Sequence, residues 1–209
     1  MTHPSSDIAF TPAVKAIQEK RGSRGHYARV EEKGGFRTAV TADLAAFLSE
    51  ARSFYLATAS ADGQPYIQHR GGPPGFLRVI DERTLGFADF KGNRQYITTG
   101  NLAENPKAYI FVMDYANRRR VKLWGRARVV EDDAALLARL WPEGYKAREE
   151  QVIVFEIEAW DTNCPQHIPQ LFAAEDVGRT IQQFQTRIRE LEAEVAALKG
   201  SQGTPPPAA

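Results

Sequence analysis

Four residues stand out for the chemistry they could perform. Arg70 closes a polar run, and Lys91, Asn93 and Arg94 crowd into the turn Lys91-Gly92-Asn93-Arg94-Gln95 between a predicted strand and a predicted helix. Cations at such a junction suit a phosphate. Arginine offers a bidentate charge-assisted fork, free N–H groups and the helix dipole favour an anion, and glycine lets the backbone come close. A second set, Arg120, Lys122 and Trp124, falls at every other position of one predicted strand. It offers donors beside a flat apolar surface for a ring system. The same cations would serve as an ordinary solvated face, and residue types alone leave both readings open.

Several other chemistries find no support. The chain has no glycine fingerprint for a dinucleotide, no phosphate loop and no nucleophile elbow. His3, His26, His69 and His167 are scattered, and Cys164 and His167 offer two ligands with no second pair. No metal site is expected from that pattern.

The elements that must position these residues follow from periodicity and punctuation. Residues 1–50 read as a helical N-terminal segment. Thr11 caps a helix with Pro12 at its first position that runs to about Lys20; Gly22, Gly25, Gly34 and Gly35 then predict loop. Thr41 announces a second helix carrying Leu44, Phe47 and Leu48, with Asp43 in its first turn. From residue 51 to 168 the pattern is mostly strand. Phe54 to Ser60 and Pro65 to Arg70 flank the turn pair Asp62-Gly63; Phe76 to Ile80 and Thr84 to Ala88 predict another hairpin. A short helix is expected over Gly92 to Leu102, then a strand over Lys107 to Met113 that is apolar on both faces. Arg119 to Val130 alternates strictly, with Val121, Leu123, Gly125, Ala127 and Val129 on one face and cations with Trp124 on the other. A helix over Ala134 to Leu140 and a strand over Val152 to Ala159 follow. About six strands with few helices between them favour a mainly β, antiparallel barrel over a doubly wound sheet.

Residues 175–199 predict one helix. Val177, Ile181, Phe184, Ile188, Leu191, Val195 and Leu198 are spaced alternately four and three, a heptad seam. So narrow a stripe needs a partner, either the chain's own barrel or a second subunit. Residues 200–209, with three consecutive prolines, read as a disordered tail.

Composition bounds the partners. The 209 residues are 43% hydrophobic and 25% charged, which excludes wholesale disorder. Twenty-seven basic and 26 acidic residues leave a formal charge of +1, which argues against a dedicated nucleic-acid binder. A single cysteine, the absence of a membrane-length apolar run and an N-terminus without signal-peptide character lead us to expect a soluble, cytoplasmic protein with no membrane partner.

Beyond these readings, Gly63-Gln64-Pro65-Tyr66-Ile67-Gln68-His69-Arg70, Gly75-Phe76-Leu77-Arg78-Val79 and Phe87-Ala88-Asp89-Phe90-Lys91-Gly92-Asn93-Arg94 resemble the pyridoxamine 5'-phosphate oxidase-like family. So do Asn101-Leu102-Ala103-Glu104-Asn105-Pro106 and Val121-Lys122-Leu123-Trp124-Gly125-Arg126-Ala127, and the ordered series spans about residues 45–160. The resemblance implies a six-stranded split barrel that dimerises and binds FMN in two clefts at the subunit interface. Carried over by position, Arg70 would lie near the FMN phosphate, and Lys91, Asn93 and Arg94 in the turn that holds it. Gln68 and His69 would come from the strand under the flavin. Arg120 would take the place of a glutamine that faces the isoalloxazine in the true oxidases, with Trp124 just beyond, and Arg120 or Lys122 would stabilise reduced, anionic flavin. The phosphate turn and the indole-bearing strand are thus expected to converge on one cleft. The vitamin-processing oxidases end in a tryptophan and an Arg-x-x-Pro stretch; here the barrel ends in Trp160-Asp161-Thr162-Asn163-Cys164-Pro165-Gln166-His167. His167 would either face the cleft or open the following helix. The implied activity is FMN-dependent oxidation or reduction of a small organic molecule by a homodimer, with NAD(P)H or oxygen as the second substrate. The alternative is a non-catalytic flavin, deazaflavin or haem carrier or sensor.

Overall fold

A computed structural model describes residues 3–201 except Asn163. The chain forms two units, residues 1–168 and residues 169–209.

In the first unit the apolar alternation of the middle segment becomes one antiparallel sheet. Its strands are β1 (Ser53–Ala59), β2 (Pro65–Gly71), β3 (Arg78–Val79), β4 (Thr84–Phe90), β5 (Lys107–Asp114), β6 (Arg119–Val130) and β7 (Glu149–Thr162). The order across the sheet is β2-β1-β5-β6-β7-β4-β3. Six substantial strands are present, as the barrel reading requires, and β3 adds a two-residue seventh. The sheet closes around Phe54, Leu56, Phe87, Ile110, Leu123, Ile153 and Phe155, all inaccessible or nearly so. Its two end regions, β2 and β4, face each other without pairing among the described residues, which makes the barrel split.

Strand β6 keeps the predicted period of two, with Val121, Leu123, Gly125 and Ala127 buried and their neighbours half-buried or exposed. Between Trp124 and Gly125 its register against β7 shifts, so that Trp124 faces Ala159 and Gly125 faces Ile157. This bulge brings the β7 backbone in close: a Cβ on Gly125 would sit 2.0 Å from the Glu156 carbonyl oxygen. Glycine is here a steric requirement.

The helices pack at the ends and edges. They are α1 (Pro12–Lys20), α2 (Arg24–Glu32), α3 (Ala42–Glu50), α4 (Ile97–Glu104) and α5 (Ala134–Leu140), preceded by a 3-10 turn at Ser5–Ile8. Thr11 and Thr41 cap α1 and α3 as expected, accepting from the N–H groups of Val14 and Leu44. Leu44, Phe47 and Leu48 of α3 join the barrel core. Replacing Thr41 by alanine is therefore expected to cost about 1 kcal/mol, read as a lowered denaturation midpoint at unchanged m-value.

Four local expectations are corrected. The stretch after Gly22 is helical: α2 begins at Arg24, and Gly25 in its first turn costs the helix little. Gly22, Gly34 and Gly35 do take positive φ outside the helices. The helix α2 is held to α1 by Arg24 on Gln18 and by Lys15, which bonds Asp7 at 2.6 Å and Glu31 at 3.1 Å, while Arg24 also pairs with Glu31 inside α2. The second hairpin forms across Asp81 to Arg83 with a shorter first strand, since Phe76 and Leu77 are buried in the core ahead of β3. The last barrel strand is longer than predicted, 149–162, because it pairs with both β4 and β6. The helix expected from Gly92 starts at Ile97. Asn93 accepts from the Gln95 N–H, and Arg94 and Tyr96 adopt left-handed backbone (φ 61° and 55°), conformations that no helix continues.

The second unit is α6 (Ala174–Ser201), which runs two residues past the expected end. The rest of the proline-rich tail, 202–209, lies outside the described residues. No helix among the described residues is long and apolar enough to cross a membrane.

Candidate functional site

The cations singled out in the sequence fall into two groups on different parts of the barrel. Strand β2 alternates, so Tyr66, Gln68 and Arg70 share one face and His69 stands on the other, exposed and edge-on to Tyr55. On the first face, at the split between β2 and β4, lies a small polar hollow. It is walled by Gln68 and Arg70, by Asp89 at the end of β4, by Gly92 to Thr99, and by Glu150 and Gln151 at the start of β7.

Arg70 is the floor of this hollow. One guanidinium nitrogen bonds Asp89 directly, both side chains being nearly buried at 13% and 9% exposure. The guanidinium also lies over the Phe87 ring. Gln151 donates to Asp89 at 3.1 Å and to the Thr99 hydroxyl at 3.0 Å, and Thr98 donates to Gln68 at 2.9 Å. These bonds tie β2 and α4 to the paired strands β4 and β7, bridging β2 and β4, between which no ladder runs among the described residues. The Arg70 Nε–H is buried and has no acceptor, an arrangement proteins rarely leave unfilled. At the lip, Arg94 bonds the Tyr96 hydroxyl at 3.2 Å, and that hydroxyl donates to Glu150 at 2.9 Å. Lys91 and Asn93 are exposed beside them. Because α4 begins only at Ile97, the helix start that lines the hollow is Ile97 to Thr99 and not residues 91–95.

The hollow measures about 60 Å³, room for roughly two water molecules. That is the scale of a phosphate group. A ring system needs a pocket of ~300 Å³ or more, which this hollow by itself does not offer.

Burial pushes the Asp89 carboxyl above its usual value, a rise that neighbouring Arg70 opposes and Glu150 reinforces. A carboxyl raised in the folded state adds most to stability when protonated, and that part is lost as pH rises through its folded value. We expect Asp89→Asn, which cannot ionise, to show a smaller fall in unfolding free energy than the parent chain when pH is raised through the carboxylate range. Denaturant titrations at several pH values check this.

The second group does not line this hollow. Strand β6 lies beside β7, but Lys122 and Trp124 face Asp161 and Ala159, at the opposite end of β7 from Glu150 and Gln151. The expectation that phosphate turn and indole converge on one cleft therefore fails within a single subunit. Trp124 is stacked under Phe36, with ring centroids 5.3 Å apart, and meets Tyr109 edge-on. Its face is thus partly covered by the N-terminal segment. Lys122 pairs with Asp161 at 3.1 Å and lies over the rings of Phe36 and Trp124. With Arg37, Trp160 and Cys164 it lines a hollow of about 500 Å³. Arg120 repeats the feature of Arg70: its Nε–H is buried and has no acceptor. Nearby Tyr109 has its hydroxyl pushed up to about 12, chiefly by burial. His167 is exposed at a left-handed turn.

Sequence reasoning passed over Asp89 and Gln151. A signal was present: a carboxylate and an amide inside otherwise apolar strands must have partners.

A sequence model of the pyridoxamine 5'-phosphate oxidase family matches residues 40–164, more than half of the chain and both groups of cations. The chain belongs to this family. The split-barrel architecture agrees with that membership. Among solved structures, HupZ of Group A Streptococcus superposes with a TM-score of 0.50 at 19% identity, over 64% of this chain and 99% of HupZ. An FMN-binding protein of Syntrophomonas wolfei follows at a TM-score of 0.44 and 15% identity, over 70% of this chain and 97% of that one. A Clostridium acetobutylicum protein related to general stress protein 26, of the pyridoxinephosphate oxidase family, gives 0.40 and 16%, over 61% and 89%. At such identities the likeness concerns the fold alone. No curated protein matches the chain in sequence.

Proposed function

We propose that the protein is a homodimeric, cytoplasmic FMN-dependent oxidoreductase acting on a small organic molecule, with NAD(P)H or oxygen as the second substrate. The observation that carries the reading is the buried, unpartnered Arg70 Nε–H in a phosphate-sized hollow of a family whose fold binds flavins. The residues fit the group. Arg70, Lys91, Asn93 and Arg94 supply donors of the right charge for a phosphate monoester, with Gln68 on the same face of β2.

The hollow ends too soon for the ring. Arg120 and Lys122 of a second copy would supply positive charge beside it, and the free Arg120 Nε–H is a second donor without an acceptor in its own subunit. Bound FMN supplies transfer of a hydride or an electron pair; the protein contributes binding, orientation and charge. Asp89 and Gln151 hold the Arg70 fork in place. Lys122, paired with Asp161, keeps a cation where negative charge on a reduced ring would develop. His69, on the far face of β2, and Trp124, beneath Phe36, are given no part in holding the flavin.

The test is spectroscopic. The purified protein is expected to be yellow, or to quench added FMN fluorescence with about micromolar affinity or better. The released cofactor should have the mass of FMN, and bound flavin should be reduced by NADH or NADPH and reoxidised by oxygen. A colourless protein that binds no FMN refutes the reading. FMN that binds but never cycles makes the protein a carrier, and a released deazaflavin or haem replaces the cofactor.

A further inference from the structure

The helix α6 carries an apolar seam that its own unit does not bury: Val177, Ile181, Phe184, Ile188, Leu191, Val195 and Leu198 are 42–65% exposed. Its heptad period is 3.5 residues, which keeps a stripe facing one partner helix along its whole length. In proteins most helical stability comes from packing an apolar face rather than from propensity.

The identity of the partner can be read from the heptad positions. Ile181, Ile188 and Val195 occupy the a positions, and Val177, Phe184, Leu191 and Leu198 the d positions. All three a residues are β-branched and two of the four d residues are leucine, the pattern that favours two parallel strands. The flanking charges decide the orientation. In a parallel, in-register pair each g position faces the next e position of the other helix. Arg187 of one copy then meets Glu192 of the other, and Glu194 meets Lys199. By symmetry this makes four attractive pairs and no repulsive one. An antiparallel pair with the same core layers keeps only Arg187 against Glu194, twice, and sets Glu192 against Gln185. Arg187 bonds Glu190 along its own helix and stays 62% exposed, within reach of a second helix.

We propose that α6 joins two copies of this chain as a parallel, in-register, two-stranded coiled coil. The arrangement raises the effective concentration of one barrel at the other. It does not depend on which cofactor the barrel takes.

A disulfide test reads the orientation directly. In the full chain with Cys164→Ser, the Ile181→Cys variant should form a covalent dimer under oxidised glutathione, because matching a positions lie within disulfide reach. Arg179→Cys, on the outer face, should not. Adding the exchange Arg187→Glu with Glu194→Lys makes all four parallel pairs repulsive while leaving the antiparallel ones attractive. It should slow the Ile181→Cys cross-link by about tenfold or more. Far-UV circular dichroism shows that α6 remains helical in each variant, and FMN binding is measured separately so that loss of flavin is not mistaken for loss of the coil. A helical Ile181→Cys chain that does not cross-link overturns the proposal, as does a cross-linking rate indifferent to the charge exchange.

Discussion

FMN affinity is expected to fall by about 10- to 100-fold when Arg70 is replaced by methionine, since a charge-assisted fork to a phosphate in a partly dry site is worth about 1.5–3 kcal/mol in its hydrogen bonds. The substitution also leaves Asp89 without its counter-charge. Removing one partner of a buried pair costs about 3–5 kcal/mol when the other stays ionised. Burial already raises Asp89 toward its neutral form, so the loss should be smaller at low pH, where the carboxyl is protonated. A second variant separates binding from folding. Arg70→Met with Asp89→Leu removes both charges, and should recover most of the stability without recovering FMN affinity. Fluorescence titration with FMN and urea denaturation together read both effects. Unchanged FMN binding in a folded Arg70→Met chain would remove the hollow at the split as the phosphate site.

The largest effect on folding is expected at Gly125. A methyl group there meets the Glu156 carbonyl at 2.0 Å and the Phe155 ring at 2.8 Å. The carbonyl belongs to the neighbouring strand, so relief requires prising β6 from β7 at the bulge. Gly125→Ala should cost about 3 kcal/mol or more, the upper range for overpacking, and should lower the yield of folded protein. Gly63→Ala is the contrast. Gly63 has φ 91° with nothing near its would-be Cβ, so only backbone strain of about 1 kcal/mol applies. Thermal unfolding of the two variants distinguishes steric from conformational need for glycine. Similar midpoints for the two would contradict the close approach at the bulge.

Much of the architecture was legible because its causes are local. Thr11 with Pro12 and Thr41 with Asp43 mark helix starts by hydrogen bonds that span only three residues. Asp62-Gly63 marks a hairpin because glycine accepts the turn's positive φ. The alternation of Arg119–Val130 survived intact because one face of β6 meets the core and the other does not. The misread elements depend on distant groups. The helix α2 has weak internal preference and is held by an ion pair from Glu31 to Lys15 and a hydrogen bond from Arg24 to Gln18, partners whose positions in space no window around Gly25 reveals. The late start of α4 follows from how far β4 can pair with β7 before Asn93 and Arg94 turn away.

The candidate site divides along the same line. Residue types and the family pattern by themselves determined that Arg70, Lys91, Asn93 and Arg94 form a phosphate-suited set, and that the chain is a mainly antiparallel barrel followed by a heptad helix. These are properties of short spacings, and spacing sets period and capping. Only the tertiary structure decided that Arg70 is locked by Asp89, 19 residues away, and that Asp89 leans on Gln151, a further 62 residues on. The same closure put Lys122 and Trp124 beside the far end of β7, away from the hollow at its start. Which strand ends face one another when a sheet rolls up depends on the order of all its strands, a property of the whole chain that no local pattern contains.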